Sequence, residues 1–207
     1  MPQIFSDFTL KKKTNRDEKR FFYSGKLPTL NHASIIVQRT TSVEQKNRIF
    51  ADVINPNEFA YPIVSENNTS VCCFESMEDA LYCLGILNST FADFYLRLFN
   101  SNTHISSSEL NRIPIPVVSD DLKYQIVQQV KVIKSAIASR DNIEKNFAIL
   151  DDLVFDAFRL KQEDIDFIKK RYNSAVQIQC PKNTTAKQSS KKVTRQVCAE
   201  TTDDYLD

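Results

Sequence analysis

The sequence predicts an α+β protein: a small mixed sheet with a packed central helix, followed by a long C-terminal helical arm or hairpin. Three observations carry this expectation. Short β-branched runs bounded by turn residues fill the first half of the chain. A long run beginning near Ser76 repeats apolar residues at three- and four-residue steps. Beyond Ser119 the same periodicity continues without strand signals. With 207 residues and 42% apolar composition, a sizeable core is within reach.

Residues 1–26 hold seven basic and three acidic side chains with little apolar periodicity, and read as a basic linker or tail. Residues 33–40, centred on Ile35, Ile36 and Val37, read as a buried strand. Further strands are expected at 49–54, closed by the turn signal Asn55-Pro56-Asn57, then at 59–64 and 70–74. Ser76 is an N-cap with Glu78 and Asp79 in the first turn behind it. From there Ala80, Leu81, Leu84, Leu87, Phe91, Phe94, Tyr95 and Leu98 share one broad face, which predicts a single helix. Gly85 lies inside it at a cost of about 1 kcal/mol against alanine, so close packing on another backbone is expected. The polar stretch 101–108 follows, with one helical turn at Ser108-Glu109-Leu110. The alternating prolines of Ile113-Pro114-Ile115-Pro116 suit an extended segment at a sheet edge.

Ser119, followed by Asp120 and Asp121, caps the next helix. Leu122, Ile126, Val130, Ile133 and Ile137 form one stripe; Ile143, Phe147, Leu150, Val154 and Phe158 form another. Either a coiled-coil seam or a helical hairpin fits. A short helix over 163–172 closes the pattern, and from Ser174 the Thr, Ser, Lys and Gln content reads as a disordered tail. The expected organisation is a tail at 1–26, a domain at 27–118, a helical arm at 119–173 and a tail at 174–207.

Composition excludes several chemistries. The two glycines, Gly25 and Gly85, cannot build a phosphate-cradling loop, a dinucleotide fingerprint or a complete S-adenosylmethionine pocket. The five cysteines include no CxxC pair, and with His32 and His104 as the two histidines no zinc-ligand spacing can be drawn. Free thiols in a reducing cytoplasm are expected. No window approaches a membrane span, and no apolar signal core opens the chain. Asp52 and Glu58, with Lys46 and Arg48 close by, form no metal-nuclease constellation and read as loop charges. His104 lacks an orienting carboxylate as a catalytic base. The net charge of +1 hides an acidic middle: residues 27–118 carry five basic and nine acidic side chains, which counts against a general polyanion-binding surface.

A family resemblance attaches to specific strings. Leu81-Tyr82-Cys83-Leu84-Gly85-Ile86-Leu87-Asn88-Ser89, followed by Phe94-Tyr95-Leu96-Arg97, resembles the central helix of TaqI-like target recognition domains. Those domains lie at the C-terminus of type II restriction–modification N6-adenine DNA methyltransferases. The similarity continues through Asn102-Thr103-His104-Ile105-Ser106, Glu109-Leu110 and Ile113-Pro114-Ile115-Pro116. Upstream, Ile36-Val37-Gln38-Arg39-Thr40-Thr41 with Arg48-Ile49 is similar to the family's opening strands. Downstream, Leu150-Asp151-Asp152-Leu153-Val154-Phe155 with Glu163-Asp164-Ile165 is similar to its closing helices. In all, roughly residues 32–173 are covered. Two departures stand out. Where the family usually has a glycine before its leucine and a threonine cap, this chain has Arg159-Leu160-Lys161. The catalytic half is also missing: an Asn/Asp-Pro-Pro-Tyr/Phe loop holds the flipped adenine in such enzymes, and Asn55-Pro56-Asn57-Glu58-Phe59 reads only as a turn.

The resemblance implies a bacterial cytoplasmic DNA-reading module with no cofactor of its own and no catalytic residues. S-adenosylmethionine is then expected in a methyltransferase catalytic domain or subunit that partners the chain, and double-stranded DNA is the other partner. Asn102, Thr103 and His104 are short donors and acceptors suited to base edges, with Ser106 toward phosphate; the competing reading is that they cap the next turn. Arg39 with Thr40 and Thr41 could reach guanine or phosphate, or Arg39 could be a structural ion pair. Lys46 and Arg48 are candidate phosphate contacts. Arg97 is expected to pair with Asp93 four residues earlier. The alternative for the whole chain is a structural protein that assembles through the stripes of 122–158 and reads no DNA.

Overall fold

A computed structural model describes residues 30–61, 63–65 and 68–179, with side chains as far as residue 173. The expected basic tail at 1–26 and the stretch 180–207 lie outside the described residues. Three strands, β1 (Ala33–Gln38), β2 (Ala51–Ile54) and β3 (Thr69–Phe74), pair in the order β2-β1-β3, antiparallel throughout. Six helices follow: α1 (Met77–Leu87), α2 (Thr90–Arg97), α3 (Ser107–Leu110), α4 (Asp120–Ala138), α5 (Glu144–Ala157) and α6 (Gln162–Gln179). This is the α+β class expected from the sequence, with the helices gathered after the sheet.

Strand β1 is covered on both faces, which is why its apolar residues run consecutively rather than alternate. Ile35 and Val37 face the main core with α1, whereas Ile36 joins a second cluster with Leu30, Ile54 and Ile63. The segment 59–64 supplies that second cover. It is therefore a loop rather than the expected third strand: the Leu30 amide donates to the Ile63 carbonyl at 3.0 Å, and Val64 forms only an isolated bridge. The segment 113–118 does not join the sheet edge either. It lies along α1, where the Tyr82 hydroxyl donates to the Pro116 carbonyl at 2.8 Å.

The long helix expected from Ser76 to Leu98 is two helices. Asn88 ends α1, and Ser89, in extended conformation, caps α2 through its side chain and the Ala92 amide. The break is tied to the sheet and to α5. Asn88 Nδ2 donates to the Ala51 carbonyl at 3.1 Å, and the Thr90 amide and hydroxyl donate to Asp151 of α5 at 2.7 and 2.6 Å. Seven residues of α1 are buried around its whole circumference, as befits a helix with sheet on one side and helices on the other.

The two C-terminal stripes form a hairpin that folds back onto α1. Ile126, Val130 and Ile133 of α4 and Leu150 and Val154 of α5 are all fully buried in the core shared with α1 and the sheet. Gly85 sets the approach, since a Cβ there would lie 2.8 Å from Ile126 Cγ2 and 3.0 Å from Val130 Cγ2. The last helix extends beyond the expected 163–172 and continues to Gln179, past the point where a disordered tail was expected to begin. Between α5 and α6, the Leu160 amide bonds back to Phe155 and the Arg159 amide to Asp156, a Schellman ending. Arg159 occupies its left-handed position with φ 52°, the position of the glycine in the family resembled.

Two stability outcomes follow from these contacts. Gly85→Ala gains helix propensity but pushes a methyl into two β-branched, fully buried neighbours; the net expected in chemical denaturation is a loss of about 1–2 kcal/mol. Arg159→Gly relieves the left-handed strain at an exposed site and is expected to raise stability by about 0.5–1 kcal/mol, read by the same titration.

Candidate nucleic-acid interface

Beyond β1 the chain continues as Arg39-Thr40-Thr41 and meets the loop after α2. The Ile105 amide donates to the Arg39 carbonyl at 2.7 Å, and the Thr41 amide to the Thr103 carbonyl at 2.9 Å. Thr40 and His104 form an antiparallel bridge between these bonds, and Thr40 Oγ1 lies 3.3 Å from His104 Nδ1. The two strings singled out in the sequence, 39–41 and 102–106, are thus side by side although some sixty residues separate them. Ile105 is buried beneath them, whereas Thr40, Asn102, Thr103 and His104 face solvent.

Arg48 organises this corner from inside. Its side chain is 1% exposed. Nε donates to Thr41 Oγ1 at 3.1 Å and Nη2 to Asn100 Oδ1 at 2.8 Å, and Nη2 also donates to the Asn102 carbonyl. The Arg48 backbone amide donates to the carboxylate of Asp93. Arg48 is therefore corrected from a phosphate contact to an internal brace, and Thr41, 2% exposed, is likewise turned inward. Burial, then the like charge of Arg97, pulls the Arg48 guanidinium below its usual range, while Asp93 and Glu109 act in the opposite sense.

The bracing is extensive. Asn100 Nδ2 donates to the His104 carbonyl and to Glu109 Oε1, both at 2.9 Å. Glu109 and Ser106 form a capping box at the start of α3, and these bonds from Ser106 and Asn100 hold the Glu109 carboxyl below its usual range. The half-buried Ser106 hydroxyl is thus engaged in capping, the competing reading for this residue. Arg97 makes the expected pair with Asp93 at 2.6 Å. It also donates to the carbonyls of Val43, Gln45 and Lys46 at 3.3, 2.8 and 3.1 Å, so it clips down the loop that presents the exposed Lys46. Burial pushes the Asp93 carboxyl upward, against Arg97 and the Arg48 amide. Asn100, Asp93, Arg97 and Glu109 are the members of this network that sequence reasoning had not assigned to the site. Asp93 was signalled by its spacing to Arg97, but nothing local marks Asn100.

Arg112 stacks over Phe99 at 4.1 Å from the ring centroid. All five basic residues of the acidic section 27–118 therefore gather at this corner, with Glu44, Asp93 and Glu109 as the acids there. Among the described residues no cluster of His, Cys, Asp and Glu suits a metal ion. Burial pushes the Cys83 thiol up to about 12 and the Cys72 thiol upward, which leaves neither poised as a nucleophile. No helix of the described residues is long and apolar enough to cross a membrane.

No family model matches the chain. Over 87 residues, 40% of its length, it is 34% identical to the Type II methyltransferase M.BsuBI of Bacillus subtilis, of which that stretch spans 17%. Its fold is similar to part of the Type IIL restriction–modification enzyme MmeI, solved in complex with DNA, at TM-score 0.54 and 16% identity, over 81% of this chain and 25% of that one. The chain thus corresponds to a minor part of much longer restriction–modification proteins.

The α2 helix, which carries both Asp93 and Arg97, is held at its N-terminus by Asp151. Burial pushes that carboxyl up to about 6, against the two bonds from Thr90. A folded-state value raised above the unfolded one contributes stability that is complete below about pH 4 and lost as pH rises through 6. Asp151→Asn keeps the shape and can still accept from the Thr90 amide. Relative to the parent, it is expected to gain at most about 3 kcal/mol between pH 4 and pH 7, measured by urea denaturation at both values.

Proposed function

We propose that this chain is the target recognition part of a restriction–modification adenine-specific DNA methyltransferase, of the TaqI-like kind, and that it reads duplex DNA with the corner built from 39–48 and 100–106. One observation carries the reading. Two distant strings of short polar side chains are brought onto one solvent-facing ledge, and a buried arginine braces that ledge from behind. Side chains held this way can present hydrogen-bonding groups to base edges with little freedom left to lose. The similarity to M.BsuBI supports the connection to methyltransferases, and the likeness to MmeI supports the fold.

On this reading Thr40, Asn102, Thr103 and His104 face the bases, and Lys46 contacts phosphate. Arg39 lies at the strand end beside them. Arg48, Thr41 and Ser106 hold the ledge rather than touch DNA. Methyl transfer and S-adenosylmethionine belong to a catalytic domain or subunit that supplies the rest of the binding energy. Assembly through the stripes of 122–158 is disfavoured, because Ile126, Val130, Ile133, Leu150 and Val154 are buried inside this fold and Leu122, Ile137, Phe147 and Phe158 pack against the same core.

Binding of the full chain to duplex DNA, measured by anisotropy over a range of salt and with a randomised duplex pool, tests the proposal. The chain alone is expected to bind weakly and salt-sensitively. Lys46→Ala reduces the slope of log K against log salt by about 0.9 and leaves sequence preference unchanged. His104→Ala or Asn102→Ala relaxes preference at particular base positions by about 1–3 kcal/mol. Equal weakening of every sequence by the latter two would refute base reading at the ledge, and nanomolar specific binding by the chain alone would refute the partner requirement.

A further inference from the structure

The polar row at the corner begins one step before Thr40. Ile36 and Val71 are register partners on the far face of the sheet, where both pack in the cluster with Ile54 and Ile63. Side chains alternate along a strand, so Gln38 and Thr69, the next partners on that face, continue it. Thr40, with His104 across from it, comes after. The apolar floor therefore gives way to a polar run at the end of β1. Thr69 is bonded to Ser65 at 2.5 Å and Thr40 to His104 at 3.3 Å, with the half-buried Gln38 beside both pairs.

Gln38 differs from these neighbours in how its two ends are used. Nε2 donates to the Thr40 carbonyl at 2.6 Å. A carbonyl accepts only from the nitrogen end of an amide, so this bond fixes which way round the group sits. Oε1 is left open to solvent, and no bond among the described residues engages it. An oriented acceptor thus stands in line with the Thr40–His104 pair. Strings 39–41 and 103–105 form a short two-stranded ribbon, a shape that the major groove admits. Donors on the base edges there are the N6 amine of adenine and the N4 amine of cytosine, whereas guanine and thymine offer acceptors.

We propose that Gln38 is a base-reading residue whose Oε1 accepts from the exocyclic amine of adenine or cytosine in the major groove. The inference rests on the ledge as the DNA-reading surface and adds to it a residue and a base class. Facing guanine or thymine, Oε1 would meet another acceptor and lose its water without a replacement, which disfavours those bases.

The full-length parent, Gln38→Ala and Gln38→Val (which keeps strand propensity) are compared by anisotropy on the randomised duplex pool. They are compared again on duplexes lacking one amine, with purine in place of the selected adenine or 2-pyrimidinone in place of the selected cytosine. The parent is expected to prefer adenine or cytosine at one position by about tenfold. Both variants lose that preference and keep those that depend on His104. Deleting the amine weakens the parent about tenfold and the variants not at all, a pattern that a residue merely bracing the ledge does not produce. A guanine or thymine preference lost in the variants, or equal weakening of every sequence, overturns the inference. Preferences lost in His104→Ala but kept in both Gln38 variants overturn it alone, whereas a parent with no preference at any position overturns the ledge reading with it.

Discussion

A guanidinium taken out of water has to be surrounded by acceptors, and each hydrogen bond to such a charged group is typically worth about 1.5–3 kcal/mol. Arg48 meets that demand with groups drawn from separate parts of the chain: a threonine from its own loop, and a side-chain amide and a backbone carbonyl from the loop after α2. Its amide adds Asp93 of α2. The shape of the corner follows from this requirement. The planar fork of arginine can serve several acceptors in fixed directions, which the single ammonium of lysine cannot do. Lys46, two residues away, stays at the surface. The same requirement couples α2 to the ledge, because Asp93 pairs with Arg97 and Arg97 holds the carbonyls of the Lys46 loop.

The ledge also depends on where α1 lies. Sheet and hairpin are both packed against this helix, and the absent side chain at Gly85 lets α4 approach until isoleucine and valine methyls occupy the space of a Cβ. Among the described residues, the far face of β1 is closed by a segment carrying Ile63. The sheet is therefore thin, with one layer of helix on one side and a strap on the other. Its β1 end emerges at the corner, free to pair with the 102–105 loop instead of with a fourth strand.

Much of this was legible because apolar spacing reports burial directly. Strand β1 and the two stripes follow from which residues recur at which step, and the Ser76 and Ser119 caps from the acidic residues behind them; the close approach at Gly85 is to side-chain methyls of α4 rather than to the expected backbone. What escaped were features set by partners distant in sequence. The run from Ser76 to Leu98 keeps helical spacing through Asn88 and Ser89, so periodicity alone could not show a break stabilised by Ala51 and Asp151. The string Asn88-Ser89-Thr90, rich in capping side chains, was the available sign. Residues 59–61 and 63–64 have strand composition, but among the described residues they make only a bridge at Val64 and the bond from Leu30 to Ile63. Arg48 looked like a surface cation because a sequence does not reveal that Asn100 and Asn102 converge on it. The two strings singled out, 39–41 and 102–106, do meet. Burial turns two residues of that neighbourhood, Arg48 and Thr41, inward as braces.

That distinction bears on how a module with an acidic middle section could read a polyanion. Of the five cations at the corner, Arg48 is buried and Arg97 is bound to carbonyls, whereas Lys46 and Arg112 stay exposed. With Arg39 half-buried, the corner itself neutralises few phosphates, and counterion release there supplies only a small part of the affinity that a stand-alone DNA-binding protein needs. Phosphate contacts position and base contacts specify. On the proposed reading, a chain that invests its buried arginine, its asparagines and its capping box in the rigidity of one short polar ledge suits the second task. The first falls, on the same reading, mainly to the longer protein of which such modules form a part.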